Sequence, residues 1–270
     1  MFRKIGFIGT GAMGGAVARI VGETAPEAEI CLANRSLEKA AALAAQLPRA
    51  QVCTNEGVAA ACDLIFLAVK PQVMPSALPA LADVLASRRD RFVLVTMAAG
   101  LTMETIRALA GGDYPVIRMM PNTPITVGAG AVQYCGLGAT EAELADFAAL
   151  LSAAGTVDPL PEHLIDAASA LSGCGPAYVD LFLEALADGG VACGLPRQKA
   201  MAYAAAMVEG AAKMARLSGT HPGVLKDTVC SPGGSTIQGV RALERGAFRG
   251  TVMDAVIAAW EKNRQLGQRG

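Results

Sequence analysis

The most constraining feature of the sequence is its opening, where a short apolar segment runs directly into a glycine-rich turn. Residues 5–8 read IGFI and residues 9–14 read GTGAMG. A strand, a G-x-G-x-x-G turn and an Ala/Val-rich helix in this order are typical of a dinucleotide-binding βαβ unit. Gly9 permits the tight turn, Gly11 lets a pyrophosphate approach the backbone, and Gly14 allows close helix–sheet packing. The residues expected to contact the phosphates of a nucleotide cofactor are Gly9, Gly11, Ala12, Met13 and Gly14.

The end of the second predicted strand indicates which dinucleotide is bound. About 20 residues after the last glycine, an NAD site usually carries a carboxylate that holds the ribose 2′-hydroxyl. Here the strand ends in Asn34, Arg35 and Ser36, which offer an amide, a guanidinium and a hydroxyl suited to a 2′-phosphate. The sequence therefore favours NADPH as cofactor, with NADH less favoured. A structural alternative stays open, in which Asn34 makes a turn, Arg35 is solvated and Ser36 caps the next helix.

Composition narrows the choice of partners and compartment. The 270-residue chain is 53% apolar with a net charge of −1, so we expect no nucleic acid and no anionic membrane surface as partner. Charged residues interrupt every long apolar stretch, which predicts no membrane span. The seven cysteines include no C-x-x-C pair, so we expect small buried thiols in a reducing compartment. The opening strand leaves no room for a signal peptide, which also indicates a cytoplasmic location. Two histidines without a partner at ligand spacing predict no metal site.

The first half of the chain alternates strand-like and helix-like segments, whereas the second half shows only helical periodicity. Apolar strands are predicted at residues 5–8, 29–33, 51–54, 63–69, 91–96, 114–119 and 130–135, the last as a hairpin-type or edge strand. Helices are predicted at residues 12–21, 101–110 and 141–153, and helical periodicity continues from 164 to 265. This pattern predicts an α/β fold, with an N-terminal Rossmann-like doubly wound sheet followed by an all-α C-terminal dimerisation domain. We place the first domain at residues 1–160 and the second, which also binds substrate, at residues 161–270.

One helix of the second domain indicates self-association. Residues 198–214 are apolar nearly all round, so the helix that they form must be buried on every side. A helical domain of roughly 110 residues has too little interior for this, and a partner chain best supplies the missing cover. We expect a homodimer with interleaved C-terminal helices, and a higher oligomer of such dimers is compatible with the sequence.

A run of small residues marks a second candidate anion site. Residues 231–236 read SPGGST and precede a helix predicted at residues 237–245. Glycines and hydroxyls ahead of a helix offer a cradle of N–H groups at its positive end, which suits a carboxylate. The alternative, a capped helix start with a glycine hinge, stays open.

Taken in order, several motifs resemble the pyrroline-5-carboxylate reductase family, and the resemblance covers essentially the whole chain. These motifs occupy residues 5–14, 34–36, 67–71, 118–124, 170–178, 188–196 and 225–237. The last of them, LKDTVCSPGGSTI, is the most specific. One departure is Cys174, where the family often has serine, and a thiol is a weaker hydrogen-bond donor than a hydroxyl.

The resemblance implies hydride transfer from NADPH to the C=N carbon of 1-pyrroline-5-carboxylate, a small imino acid, which gives L-proline in the last step of proline synthesis. It implies that the Thr236 hydroxyl lies close to the ring nitrogen as the catalytic group. The residues expected to bind substrate are Ser231, Gly233, Gly234, Ser235 and Thr236. The resemblance also puts Asn55 beside the adenosine half of the cofactor, although a role as helix N-cap explains this residue equally well.

Further cofactor contacts are expected where other strands end. Lys70 ends an apolar strand and precedes a proline, so its ammonium is expected to neutralise phosphate or carboxamide oxygens, and the alternative of a solvated surface charge stays open. The residues expected there are Ala68, Val69, Lys70 and Pro71. Asn122 and Thr123 lie between two prolines and are expected near the nicotinamide, with Arg118 buttressing their turn.

Two alternatives of different classes stay open from the sequence. A β-hydroxyacid dehydrogenase shares the glycine turn, the Asn-Arg pair and a helical second domain, but it uses a lysine followed four residues later by asparagine. Here Lys199 is followed at that spacing by Tyr203, and Lys213 by Leu217. A non-catalytic NADPH-binding module would keep the glycine turn and would have no need of the cradle at residues 231–236.

Overall fold

The computed structural model describes residues 2–267, which divide into two compact units. The first unit contains the chain as far as Cys174 together with the segment from Ala259 onward, and the second is Gly175–Ala258. The boundary predicted after residue 160 precedes this division, and the limits of the functional domains stay a prediction.

The first unit is built on one eight-stranded sheet. Its strands are β1 (Lys4–Ile8), β2 (Glu29–Ala33), β3 (Ala50–Val52), β4 (Leu64–Leu67), β5 (Val93–Thr96), β6 (Val116–Pro121), β7 (Gly130–Leu137) and β8 (Gly155–Pro159). They are arranged in the order β3-β2-β1-β4-β5-β6-β7-β8, and all neighbours are parallel except β6 and β7. The predicted Rossmann-like sheet is confirmed, with one antiparallel pair added to it.

Helices cover both faces of this sheet. They are α1 (Ala12–Thr24), α2 (Leu37–Ala44), α3 (Asn55–Ala61), α4 (Met74–Ala77), α5 (Ala82–Ser87), α6 (Met103–Ala110), α7 (Glu141–Leu150) and α8 (Glu162–Ala168), followed by a π-helix at Ser169–Gly173. One apolar core joins the sheet to α1, α2 and α7 and contains the stacked rings of Phe7 and Phe66, whose centroids are 4.6 Å apart. The second core joins the opposite face to α3–α6. Burial on both faces explains why β4 is apolar throughout and why β5 is apolar except at Thr96.

The second unit is helical. Its elements are α9 (Gly175–Ala192), α10 (Arg197–Ser218), α11 (Pro222–Thr228), α12 (Ser235–Arg245) and the first part of α13 (Phe248–Gly267). Helices α9 and α10 approach closely where Gly190 faces Ala200, because a Cβ at Gly190 would lie 3.1 Å from that of Ala200. Tyr178 donates a hydrogen bond from its hydroxyl to the carbonyl of Ala255, which connects α9 to α13 within this unit. The predicted all-α character is confirmed.

Most apolar side chains of the second unit are exposed in the single chain. Only Ala200 and Ala204 of α10 are buried, and Tyr203 in the same helix is 58% exposed. Other exposed apolar residues of this unit are Val179, Leu181, Val191, Leu195, Met201, Met207, Met214, Leu217, Val224, Val229, Leu243, Phe248, Val252, Met253 and Ile257. A helical unit with this much apolar surface needs cover from outside the chain.

The main difference from the predicted elements lies at β7 and β8. Strand β7 pairs on both sides, so it is not an edge strand, and the hairpin-type alternative is confirmed by its antiparallel pairing with β6. The helix predicted as far as residue 153 ends at Leu150 and is followed by a short 3-10 turn and β8. Gly155 starts β8 at φ +120°, a conformation that favours glycine, and the strand is polar and mostly exposed. A search for apolar strands therefore misses it.

All seven cysteines are free thiols, but only Cys31 and Cys62 are buried, and Cys193 is exposed. The expectation of small buried cysteines therefore holds for two of them. Burial raises the pKa of Cys135 to about 11, so this thiol stays protonated at neutral pH. Within residues 2–267, no group of three or more His, Cys, Asp or Glu side chains is placed to hold a metal ion. No helix in the same range combines the length and the apolar character needed to cross a membrane.

Candidate functional site

The turns that follow six neighbouring strands line one edge of the sheet. Because β3, β2, β1, β4, β5 and β6 are adjacent and parallel, their carboxyl ends share this edge. The predicted cofactor residues in these turns are Gly9, Gly11, Ala12, Met13, Gly14, Asn34, Arg35, Ser36, Asn55, Ala68, Val69, Lys70, Pro71, Asn122 and Thr123. Successive strands are added to one side of β1 as far as β3 and to its other side from β4 onward, and open α/β sheets bind ligands at this switch point between β1 and β4.

Two glycines of the first turn are required by packing. Gly9 has φ +103°, and a Cβ there would lie 2.6 Å from the carbonyl oxygen of Ala68. At Gly14 a Cβ would collide with the carbonyl oxygen of Gly9 and lie 2.8 Å from the Ala68 Cβ. The backbone N–H of Ala68 donates to the carbonyl of Ile8 at 2.8 Å, so the start of α1 and the ends of β1 and β4 form one packed unit. The roles predicted for Gly9 in the turn and for Gly14 in helix packing agree with this geometry.

Gly11, by contrast, faces open space. A Cβ at this position would have no heavy atom within 4 Å among residues 2–267. Gly11 is also the N-cap of α1, and no side chain caps the helix there. The first N–H groups of α1, including those of Ala12 and Met13, therefore point to a free space beside the turn, as a bound phosphate requires. Thr10 adds a buried hydroxyl without a hydrogen-bond partner among the described residues, a group that a ligand oxygen would satisfy.

Arg35 and Lys70 are the predicted cofactor residues with a positive charge. Both are exposed, and neither forms an ion pair with another residue of the described range. Ser36 occupies the N-cap position of α2, as predicted, but its hydroxyl makes no capping hydrogen bond. The hydroxyl and the guanidinium are thus both available to an anion at the end of β2. Asn34 differs from them, because its amide is bonded to Thr10 and Ser36.

The N-cap role considered for Asn55 is wrong. Thr54 caps α3, since its hydroxyl accepts a hydrogen bond from the N–H of Gly57 at 3.0 Å. Asn55 is the first residue of the helix and is half-buried. A threonine directly before the asparagine was the signal for this assignment.

Asn122 connects three segments through its side chain. Its Oδ1 atom accepts a hydrogen bond from the N–H of Ala131 at 2.8 Å, and its Nδ2 atom donates to the carbonyl of Ser172 at 3.0 Å. The Ser172 hydroxyl in turn donates to Oε1 of Gln133 at 2.9 Å. Asn122 is 8% exposed, so this amide fixes the turn after β6 against β7 and the π-helix. Gln133 and Ser172 were not singled out from the sequence, because only the fold brings them to Asn122.

The sequence predicts that Arg118 buttresses the turn at Asn122, and this prediction is wrong. Arg118 is a nearly fully buried residue of β6, and its guanidinium forms ion pairs with Asp166 and, at 3.5 Å, with Glu162. Glu162 also accepts a hydrogen bond from the N–H of Met103 at 2.7 Å, at the start of α6. Arg118 therefore holds α8 on the sheet through two carboxylates separated by one helical turn.

The second unit contains the other candidate anion site, at residues 231–236. Gly233 has φ +71°, and the N–H of Gly234 donates to the carbonyl of Ser231 at 3.0 Å, which closes a tight turn. Helix α12 begins at Ser235, two residues earlier than predicted, so Ser235 and Thr236 form its first turn. No side chain caps this helix start. The turn therefore presents free N–H groups and exposed hydroxyls together, as a carboxylate-binding cradle requires.

These features fit the groups that were predicted to bind. The first unit offers an uncapped helix start, an open position at Gly11 and two unpaired cations, which suit the phosphates of a dinucleotide. The cradle of the second unit consists of six residues, 231–236, and contains no cation. Its donors are backbone N–H groups and hydroxyls, which suit a single carboxylate.

Comparisons with known proteins agree with the features described for each of the two units. A family model described as pyrroline-5-carboxylate reductase dimerisation matches residues 162–266, and one described as NADP oxidoreductase, coenzyme F420-dependent, matches residues 4–100. The chain is 43% identical to a pyrroline-5-carboxylate reductase of Arabidopsis thaliana, over 98% of this chain and 96% of the relative. It is 38% identical to that of Escherichia coli strain K12, over 99% of this chain and 100% of the relative.

The fold comparison leads to the same result. A crystal structure of Plasmodium falciparum pyrroline carboxylate reductase with NADP bound superposes with a TM-score of 0.87 and 32% identity, over 98% of each chain. Similarity at this level extends through the dinucleotide turn and the helical second unit alike. The chain belongs to the pyrroline-5-carboxylate reductase family.

Proposed function

We propose that this protein reduces 1-pyrroline-5-carboxylate to L-proline with NADPH as the preferred reductant. Family membership supports this reaction, and the observation that carries it is the second anion site. A β-hydroxyacid dehydrogenase or a non-catalytic binding module needs the turn at residues 9–14, but neither needs the uncapped cradle at residues 231–236. An imino acid has both a carboxylate to anchor and a C=N bond to reduce.

NADPH, when bound, supplies the hydride that the C=N carbon receives. The start of α1 holds the pyrophosphate, with Gly11 giving the backbone access that a side chain would block. Arg35 and Ser36 hold the 2′-phosphate, and Lys70 adds a positive charge at the next strand end. Asn122 keeps the turn after β6 in place beside the nicotinamide.

The substrate carboxylate binds at the start of α12. The N–H groups of Ser235 and Thr236 and the hydroxyl of Ser231 are the donors, and the glycines at 233 and 234 keep the approach free of side chains. The Thr236 hydroxyl hydrogen-bonds the ring nitrogen and stabilises the iminium as it becomes an amine. Because a hydroxyl is a weak acid, the proton itself arrives with the substrate or from water.

The protein acts as a homodimer with interleaved C-terminal helices. Its match to the family's dimerisation domain supports self-association, and the exposed apolar residues of α9, α10 and α13 supply the surface. Further association of dimers into a larger oligomer is compatible with this arrangement. A cytoplasmic location is supported by the seven free thiols.

The direct test of this function is NADPH oxidation followed at 340 nm. We expect turnover with 1-pyrroline-5-carboxylate and none with 3-hydroxy acids and NADP. The Thr236→Ala variant should lose about 10- to 100-fold in kcat, because a hydrogen bond to a charged group contributes roughly 1.5–3 kcal/mol. Its affinity for NADPH should stay within twofold of wild type.

Two matched variants sharpen this test. Thr236→Ser keeps the hydroxyl and should recover most of the lost rate. Thr251→Ala removes a threonine hydroxyl elsewhere in the same unit, one that donates to the carbonyl of Ala247, and should leave kcat unchanged. If Thr236→Ala turns over at the wild-type rate, Thr236 is not the catalytic residue.

A hybrid dimer tests whether one active site uses two chains. Gly11→Asp should remove cofactor binding without unfolding, because the side chain enters open space and aspartate is a good N-cap, yet it repels phosphate. We expect both homomeric variants, Gly11→Asp and Thr236→Ala, to have little activity. Co-expression of the two with different tags should give a hybrid with about half of wild-type activity if each site combines the cofactor turn of one chain with the α12 cradle of its partner. A hybrid as inactive as the two parents would show that each site lies within one chain.

A further inference from the structure

We propose that Asn34 is a positioning residue for the pyrophosphate turn, and that it supports binding of NADPH and NADH alike. The sequence pattern favours a different role, that of a direct ligand of the 2′-phosphate. The inference rests on the proposed function in one respect, namely that the turn at residues 9–14 binds a dinucleotide.

Both ends of the Asn34 amide are engaged within the protein. Its Oδ1 atom accepts a hydrogen bond from the backbone N–H of Thr10 at 3.2 Å, and its Nδ2 atom donates to the carbonyl of Ser36 at 3.0 Å. The orientation of the amide follows from these partners, since an N–H can only donate and a carbonyl can only accept. The side chain is therefore a bridge from the glycine turn to Ser36, the N-cap residue of α2.

Within residues 2–267, the Asn34 side chain is the hydrogen-bond partner of the Thr10 N–H. The N–H of Gly9 already donates to the carbonyl of Ala33 at 2.8 Å, so the backbone fixes the first residue of the turn to β2. Asn34 fixes the second residue, Thr10, which is buried and whose N–H would otherwise lack a partner. Gly11 comes next, and its carbonyl accepts from the N–H of Gly15 at 2.8 Å, so α1 holds the turn on one side of Gly11 and the bond from Asn34 holds it on the other.

Asn34 and Arg35 have different surroundings, and we therefore assign them different roles in cofactor binding. Arg35 is exposed and unpaired among the described residues, so its guanidinium is free to recognise a 2′-phosphate. Asn34 acts on the turn that receives the pyrophosphate, a group that NADPH and NADH share. Loss of Asn34 should therefore weaken both cofactors by the same factor, whereas loss of Arg35 should weaken NADPH alone.

The experiment is a fluorescence titration of the purified, full-length protein with NADPH and with NADH, without substrate. In Asn34→Ala we expect both dissociation constants to rise by a similar factor of about five to ten. In Asn34→Asp the carboxylate can still accept from the Thr10 N–H but no longer donates to the Ser36 carbonyl, so NADH should bind more tightly than to Asn34→Ala, while NADPH weakens through charge repulsion. Arg35→Ala serves as the comparison variant and should weaken NADPH only. The midpoint of thermal unfolding, measured without cofactor, should change by no more than a few degrees in each variant.

The outcomes separate this inference from its alternatives. Equal weakening of both cofactors in Asn34→Ala, with NADH binding recovered in Asn34→Asp, supports it. Weakening of NADPH alone in Asn34→Ala overturns it in favour of a direct phosphate contact, and unchanged binding of both cofactors overturns it as well. Equal losses of NADH binding in the two variants also overturn it, because the hydrogen bond from Thr10 would then have no influence. A wild-type protein that binds neither dinucleotide would overturn the proposed function together with this inference, whereas the other negative results leave that function intact.

Discussion

Replacement of Arg35 by aspartate is expected to reverse the cofactor preference, changing the ratio of kcat/KM for NADPH to that for NADH by about 100-fold or more. The guanidinium is exposed and unpaired at the end of β2, where the 2′-phosphate of NADPH would lie. Each charge-assisted hydrogen bond contributes roughly 1.5–3 kcal/mol, and about 1.4 kcal/mol corresponds to a factor of ten. Aspartate removes these bonds, repels the phosphate dianion and offers the ribose 2′-hydroxyl of NADH an acceptor.

The measurement is steady-state kinetics with each cofactor at saturating imine. Arg89→Asp is a suitable control, because Arg89 is also exposed but lies ahead of β5, at the opposite end of the strands. It makes the same change in net charge and should leave the cofactor ratio within about twofold of wild type. A ratio in Arg35→Asp that matches this control would show that Arg35 does not read the 2′-phosphate.

Replacement of Arg118 by methionine is expected to destabilise the first unit by about 3–5 kcal/mol. Methionine keeps most of the volume, so the loss comes from the carboxylates of Glu162 and Asp166, which remain close together without their cation. Glu162 would also hold the start of α6 less firmly, since it accepts the N–H of Met103. For a unit of this size the midpoint of thermal unfolding should fall by roughly 10 °C.

Arg91→Met is the matched control for this stability measurement. Arg91 also pairs with a carboxylate, Glu143, which lowers the pKa of that carboxyl to about 2, but its guanidinium is exposed. Water reaches the Arg91 guanidinium and also solvates Glu143 once the arginine is removed, so this variant should melt at a clearly higher temperature than Arg118→Met. Glu162→Gln and Asp166→Asn, added to Arg118→Met, remove the repulsion and should restore part of the stability. Equal melting points for the two arginine variants would contradict a structural role of the buried cluster.

The sequence predicts the sheet well because its central strands are buried on both faces and its first turn requires glycine. Residues 5–8 and 30–33 contain no charged side chain, and β1 and β2 form within one residue of the predicted bounds 5–8 and 29–33. Strand β8 has no such pattern, since it is polar and lies at the edge of the sheet. Its existence depends on pairing with β7, which no local pattern reveals.

The candidate site shows a similar division. The residue types of the glycine turn and of the Asn-Arg-Ser segment indicate a nucleotide phosphate site, because the chemistry of phosphate binding restricts them strongly. Contacts between segments that are distant in the sequence cannot be predicted from residue types alone. The residue type alone makes Asn34 a candidate phosphate ligand, and only the fold brings its amide to Thr10 and Ser36. The fold likewise brings Arg118 to its carboxylate partners in α8.

The two borders of the eight-stranded sheet have a consequence for how copies of this protein meet. On one border β3 has only three residues, and on the other β8 is polar and ends in Pro159, which lacks an N–H donor. Short, polar or proline-containing borders discourage a foreign strand from extending a sheet. Newly synthesised chains should therefore aggregate less through the sheet of the first unit than through the exposed apolar helices of the second. Contact between copies is favoured at helices and disfavoured at strands.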